Sequence, residues 1–514
     1  MTVASDLDAP DFAIGIVGAG AMGRGIAQVA AAGGFKVRVT DVAPEVAQSC
    51  VSFASQMLRR AAEKDRMTPS DAEAAIARMT VVPDIAGLAG CAVVIEAIVE
   101  DLDAKRQMFA DFEGVVSASC ILASNTSSLS VTAIAAACEN PERVAGFHFF
   151  NPVPLMRVVE VIAGQRTEAD ACDTLSAIAE RFGHKPVRAM DTPGFLVNHA
   201  GRAYATEALA ILGEGIAEPV DVDRIMRDAA GFRMGPFELF DLTGLDVSHP
   251  VMESIFEQFY ADPRYRPSPE TRRRLSAGLL GRKSGAGFYR YADGKPDTPP
   301  EPPAPEARPE RVWVSGAEAD GRARVLDRLA TLNVGVALED GEAPSGAALC
   351  LTTPLGADAT TSALRQGLDP ARTVAIDTVL GLDKRVSLMA NPLTSRATRE
   401  AACGLFAATG AKVTLIADSP GFVAQRILAA IVNLGCAIAQ AGIALPDDID
   451  DAVRLGLGYP QGPLDLGDSL GAERVLTILE NIRDATGDPR YRPSPWLRRR
   501  VQLGLSLKSP DASE

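Results

Sequence analysis

Residues 13–40 constrain the fold of this chain more than any other stretch. An apolar run, AIGIV (13–17), enters the glycine turn GAGAMG (18–23), which opens the helix-like AMGRGIAQVAAAG, and KVRVT (36–40) reads as a second strand. A strand that turns through glycines into a helix and returns as a strand is a βαβ unit, whose two strands are parallel. CAVVIEA (91–97) and CILASN (120–125) extend the pattern as continuous apolar strands, the signature of a sheet covered on both faces. The expected fold is therefore α/β, a doubly wound parallel sheet, giving way to an all-helical pattern from about residue 192.

Each glycine of the turn has a separate duty in a dinucleotide site. Gly18 permits the tight turn, Gly20 lets the backbone approach a pyrophosphate, and Gly23 lets helix and strand pack closely, with the phosphate at the helix N-terminus. Asp41 stands 18 residues after Gly23 at the end of the second strand, placed to hold both hydroxyls of an adenine ribose. Val42, Ala43 and Pro44 follow it without a cation, which favours NAD over NADP.

At 514 residues the chain is too long for one core. Seven prolines between 296 and 309 mark an extended, semi-rigid linker, and DPRYRPSP occurs on both sides of it, at 262–269 and 488–495. DTPGF (191–195) likewise matches DSPGF (418–422), so a helical domain is duplicated. The expected organisation is a Rossmann domain over 1–190, a helical domain over 191–292, a linker over 293–310, a reduced Rossmann-like domain over 311–417 and a second helical domain over 418–514. A net charge of −15 argues against nucleic-acid or anionic-membrane partners, which need clustered Lys and Arg. RILAAIVNLGCAIAQAGIAL (426–445), with Asn433 and Gln440, reads as a buried helix rather than a membrane span. The N-terminus shows no signal peptide, and eight scattered cysteines with no metal-ligand spacing read as the reduced thiols of a cytoplasmic protein.

GFHFFNPVPLMRVVEV (146–161) reads as strand, proline turn and strand, with His148 and Glu160 six residues either side of Pro154. A hairpin centred there sets the two opposite each other. A carboxylate on one imidazole nitrogen fixes the tautomer and strengthens the other nitrogen as a general base for a hydroxyl proton.

SNTSSL (124–129), FHFFNPVP (147–154) and DTPGFLVN (191–198), in this order behind the glycine turn, resemble the L-3-hydroxyacyl-CoA dehydrogenases over roughly 12–292. The resemblance implies NAD-dependent oxidation of an (S)-3-hydroxyacyl-CoA, with His148 as base, Glu160 as its partner, and Ser127 and Asn198 on the substrate oxygen. It also implies cofactor contacts from Asp41, Glu100, Lys105, Ser127 and Asn151, and a CoA contact from Lys64. Asn198 begins the helical part, so the site is expected between two domains. His199 departs from the family, which usually has Arg there.

The rear half resembles a worn second copy. Laid motif by motif on the front half, VAIDTVLG puts Val379 opposite Ser127, SLMANPL keeps Asn391–Pro392 but puts Leu388 opposite His148, and DSPGFVAQ puts Gln425 opposite Asn198, so no second active site is expected. In simple members of the family the helical domains pair as a dimer, and the second copy here is expected to supply that surface within one chain, with a further homodimer open. Tandem chains of this kind resemble the 3-hydroxyadipyl-CoA dehydrogenases of phenylacetate catabolism. A 3-hydroxybutyryl-CoA enzyme of fatty acid metabolism, a β-hydroxyacid dehydrogenase acting on a free acid, and a catalytically silent NAD-binding scaffold are the alternatives.

Overall fold

The structure, a computed structural model, describes residues 7–9, 11–330 and 336–511. Most of the N-terminal stretch on which the signal-peptide reading rests lies outside the described residues. Contacts divide the chain into two units, Met1–His199 with Ala441–Leu457, and Ala200–Gln440 with Gly458–Glu514.

The first unit is built on eight strands: β1 (Ala13–Val17), β2 (Lys36–Thr40), β3 (Met79–Val81), β4 (Val93–Glu96), β5 (Ile121–Ser124), β6 (Val144–Phe149), β7 (Val158–Ala163) and β8 (Lys185–Met190). They lie in the order β3-β2-β1-β4-β5-β6-β7-β8, parallel throughout except for the antiparallel pair β6–β7. Every residue of β1, β4, β5 and β6 is buried, as central strands between helical layers must be. Ile14, Ile16, Val37, Val39 and Val93 pack with Ile26, Ala27 and Ala30 of the helix Ala21–Ala32 in one core.

The second unit is mainly helical, with two departures from the expected pattern. The hairpin β9 (Arg290–Ala292) and β10 (Lys295–Asp297) turns through Asp293 and Gly294, both at positive φ, the conformation of a tight hairpin turn. The proline stretch beyond it is strapped to the protein: Pro299 accepts from Arg224 at its carbonyl, and Gly404 has no Cβ where the Pro305 and Ala307 carbonyls pass. Helix Val423–Gln440 is the one helix, among the described residues, long and apolar enough to cross a membrane, and it is mostly buried inside the protein.

The rear sheet contains β11 (Arg311–Val314), β12 (Ala337–Glu339), β13 (Leu349–Thr352), β14 (Thr373–Ile376), β15 (Arg385–Ala390) and β16 (Lys412–Ile416), in the order β12-β11-β13-β14-β15-β16. Its one antiparallel pair is β14–β15. Counted from that pair, β13 to β16 match β5 to β8, and among the described residues no strand matches β3 or β4. The match extends to detail. Asp191 accepts from Val131 and Thr132 N–H in front, and Asp418 accepts from Ala359 and Thr360 N–H behind. Thr167 bridges the Gly164 N–H and the Val144 carbonyl as Thr394 bridges the Asn391 N–H and the Thr373 carbonyl.

This register keeps Gln425 at the place of Asn198 but corrects the other motif-based equivalences. His148 pairs with Glu160 in β6–β7, and the corresponding positions behind are Asp377, whose N–H donates to the Ser387 carbonyl at 3.0 Å, and Ser387. Leu388 therefore matches Val161, not His148. Ser130 and Asp358 are matching helix N-caps, so Leu355, not Val379, stands at the place of Ser127. Asn391–Pro392 follows β15 whereas Asn151–Pro152 follows β6, so that likeness is accidental. Backbone pairing decides equivalence, and a dipeptide motif does not survive against it.

Candidate active site

The turn between β1 and its helix has the shape a pyrophosphate needs. Gly18 sits at φ +93°, and a Cβ there would lie 2.5 Å from the Ala97 carbonyl oxygen. A Cβ on Gly23 would run into the Gly18 carbonyl, whereas a Cβ on Gly20 would meet open space. Gly20 is the N-cap of Ala21–Ala32 and caps it with no side chain, leaving the first amides to a ligand. Asp41 is held in place by the Ala19 N–H at 2.7 Å and the Ala43 N–H at 3.0 Å. Beside them opens a cavity of about 390 Å³ lined by Ala19, Gly20, Arg24, Glu45, Ser49 and Phe53, among others. These features fit an adenine dinucleotide on its phosphate and ribose side. The rear counterpart does not, because Glu318 turns its own carboxylate onto the Gly321 N–H at the start of Ala319–Ala330.

The C-terminal ends of β1, β4, β5 and β6 share one edge of the sheet, and the predicted residues gather along it. His148 Nδ1 lies 2.5 Å from Glu160 Oε2, both side chains buried. The other carboxylate oxygen, Oε1, accepts from Leu196 and Val197 N–H, each at 2.8 Å. Those amides are aimed by the turn through Gly194 (φ +76°) and Phe195 (φ +50°). A positive φ at a phenylalanine is a strained backbone of the kind that marks functional sites. The Phe195 and Phe150 rings stand 6.0 and 4.5 Å from the imidazole. Half-buried Asn198 follows Val197 directly in the short helix Val197–Ala200 and belongs to the same unit as His148.

Glu100 organises the SNTSSL loop. Its Oε1 accepts from Thr126 Oγ1 at 2.7 Å, Ser127 N–H at 2.9 Å and Ser128 N–H at 3.1 Å. These donors and Lys105 hold the carboxyl below its ordinary range, although burial alone would raise it. Lys105 is itself buried, 2.6 Å from Glu96 and 3.4 Å from Glu100, so its charge serves that carboxylate pair. Asn125, which the sequence reading passed over, accepts from Phe149 N–H at 2.9 Å and ties this loop to the His148 strand.

Lys64 lines a second cavity, of about 310 Å³, together with Arg24, Arg60, Arg66 and Asn151. The three arginines are further omissions of the sequence reading. Arg60 and Lys64 are four residues apart at the end of helix Pro44–Glu63, a spacing that puts them on one face and was visible in RRAAEKDR. His199 is buried, and the residue at its place behind is Arg426, whose guanidinium bonds Glu207 at 2.7 Å.

A largely parallel sheet with a glycine turn, an acid at the end of its second strand and a His–Glu pair on the same edge defines an NAD-dependent dehydrogenase of the doubly wound class. Comparison with known proteins narrows this. The family model for the 3-hydroxyacyl-CoA dehydrogenase NAD binding domain matches residues 13–192, and that for its C-terminal domain matches twice, at 194–291 and 421–512. The chain is 37% identical to the 3-hydroxyadipyl-CoA dehydrogenase of Escherichia coli over 96% of its length and 98% of that protein's. It is 41% identical to a probable 3-hydroxybutyryl-CoA dehydrogenase of Bacillus subtilis, over 54% of this chain and 96% of that one. A crystal structure of 3-hydroxybutyryl-CoA dehydrogenase from Escherichia coli matches with a TM-score of 0.84 and 35% identity, covering 96% of this chain and 98% of that one. The chain belongs to the 3-hydroxyacyl-CoA dehydrogenase family, and is an oxidoreductase that uses NAD.

Proposed function

We propose that the front copy oxidises the 3-hydroxyl of an (S)-3-hydroxyacyl-CoA, with His148 as the base, and that the rear copy carries no chemistry. The observation that carries this reading is the buried His148–Glu160 pair at the cofactor edge of the sheet. Glu160 is anchored by two backbone amides, so it holds Nδ1–H and leaves Nε2 as the acceptor for the hydroxyl proton. Ser127 and Asn198 donate to the oxygen as charge gathers on it, and Glu100 keeps Ser127 in place. NAD, when bound on Gly18–Gly23 and Asp41, supplies the acceptor for the hydride leaving C3. Glu100 and Asn151 flank the same edge, and Lys105 acts through Glu100. Arg24, Arg60, Lys64 and Arg66 make a cationic cavity suited to the phosphates of CoA. Eight free thiols, six of them buried, fit a cytoplasmic enzyme.

We assign the 3-hydroxyadipyl thioester as substrate, on the strength of a relative so named that matches along nearly the whole chain. The 3-hydroxybutyryl thioester is the second reading, favoured by the full-length structural match. Comparing kcat/KM for the two separates them, and a C4 preference above about tenfold, some 1.4 kcal/mol, removes the adipyl assignment. His148→Gln tests the chemistry itself: turnover should fall by at least about 10²-fold with NAD affinity kept, and near-normal turnover refutes the base.

The rear copy acts as an internal partner for the front helical domain. Helices Arg202–Gly213 and Val423–Gln440 pack together, joined by buried Arg426 and Glu207. The two DPRYRPSP copies also lie side by side, with Arg266 3.6 Å from Asp488. A rear-half deletion that stays soluble and fully active refutes this role.

A further inference from the structure

The first unit contains one segment from the far end of the chain, Ala441–Leu457, and its helix Pro446–Gly456 packs on β7 and β8. Met190 N–H donates to the Ile443 carbonyl at 2.9 Å, Arg188 N–H to Asp448 at 3.2 Å, and Lys185 lies 3.4 Å from Asp451. The last residue of that helix, Gly456, abuts the turn that holds Glu160. A Cβ on Gly456 would stand 3.0 and 3.2 Å from the Val197 methyls and 3.5 Å from Val158. Val197 is the residue whose amide holds Glu160, and Val158 is in the Glu160 strand.

The same docking recurs behind with a different surface. Ala417 N–H donates to the Ile216 carbonyl at 3.0 Å, as Met190 does to Ile443, and helix Pro219–Asp228 packs on β15. There the position of Val158 is taken by Arg385, buried against Asp228 and Glu301, and the position of Gly456 by Ala229. The ionic version accompanies the copy without a base. The version with glycine against two valines accompanies the copy with one.

We propose that Gly456 is a positioning residue for the catalytic base: the rear copy reaches the front active site through this helix end and sets Val197, Glu160 and thereby His148. This rests on His148 being the base. Packed interiors do not deform freely, so added volume at 456 displaces the Val197 amide, and displacements of this order cost up to about 10²-fold in rate.

The test is Gly456→Val in the full-length chain, assayed with NAD and 3-hydroxybutyryl-CoA. The expected result is a kcat loss of about 10-fold to 10²-fold with both KM values kept, and recovery of most of the loss in Gly456→Val with Val197→Ala, which returns the volume. Ala229→Val, which puts valine at the matching position of the rear docking, should keep kcat. Full kcat in Gly456→Val overturns the proposal, as does a loss that Val197→Ala fails to relieve or that Ala229→Val reproduces. Should Gly456→Val not fold, Gly456→Ala carries the test: its smaller loss must again be relieved by Val197→Ala, and absence of loss or of relief overturns the proposal. His148→Gln distinguishes the two levels. If it is active, the base assignment falls; if it is inactive while Gly456→Val is unaffected, only the role of Gly456 falls.

Discussion

Glu160→Gln removes one charge and no volume, and the structure dictates how the new amide must sit. Glu160 Oε1 accepts two backbone N–H groups at 2.8 Å, and Oε2 faces His148 Nδ1 at 2.5 Å. A glutamine that turned its NH2 toward Leu196 and Val197 would strand two buried donors, at about 1–3 kcal/mol each. It therefore keeps its carbonyl on the amides and points its NH2 at Nδ1. The imidazole can meet that donor only by carrying its proton on Nε2, the nitrogen that must accept the substrate proton. A base locked in the wrong tautomer loses about 10⁴-fold, and loss of base catalysis alone at least about 10²-fold, so kcat should fall within that range. NADH absorbance with acetoacetyl-CoA in the reductive direction and 3-hydroxybutyryl-CoA in the oxidative direction measures it, with circular dichroism to show the fold intact. Turnover close to that of the unaltered chain refutes both the tautomer argument and Glu160 as the partner.

Three other outcomes are expected. Asp41→Ala should weaken NAD binding by about 10-fold to 10²-fold, the worth of a charged hydrogen bond, with kcat at saturating NAD kept; unchanged affinity by titration rejects the ribose contact. Arg60→Ala and Lys64→Ala should each raise KM for the CoA thioester by several-fold, more at low salt, yet leave KM for acetoacetyl-pantetheine alone; an equal rise with the truncated thioester removes the phosphate reading. Burial pushes the Asp377 carboxyl from 3.8 up to about 6 against the pull of Gln425. The folded chain thus holds a proton that the unfolded chain has released, and its stability declines as pH rises from about 4 through about 6. Asp377→Asn keeps the acceptor for Gln425 and Val379 without the charge. Its urea midpoint should exceed that of the unaltered chain at pH 8 and approach it at pH 4; a gap independent of pH refutes the assignment.

Local order was legible wherever neighbours in sequence carry the physics. The β1–glycine–helix unit, β2, β4, β5 and the β6–β7 hairpin all lie in apolar runs punctuated by Gly and Pro, and the register places His148 against Glu160, as the symmetric spacing about Pro154 requires. The Asp-Gly turn of β9–β10 carried a signal that the proline-rich surroundings obscured. Arg24 stayed illegible because nothing in its neighbourhood says that residues of the proline turn after β6 line the same cavity.

By themselves the residues of this chain determined its family, its glycine turn, its His–Glu pair and the fact of duplication, because each is written in a short stretch or in a repeated phrase. Only the tertiary structure decided which rear residue stands at each front position. The two missing strands lie before β13, and beyond them the antiparallel pair keeps its register, so Asp377 rather than Leu388 stands at the place of His148. Tertiary packing also decided that Gly456, more than 250 residues after Val197, abuts it. Contacts at that separation are set by the fit of a helix end to a sheet edge, which no local pattern encodes.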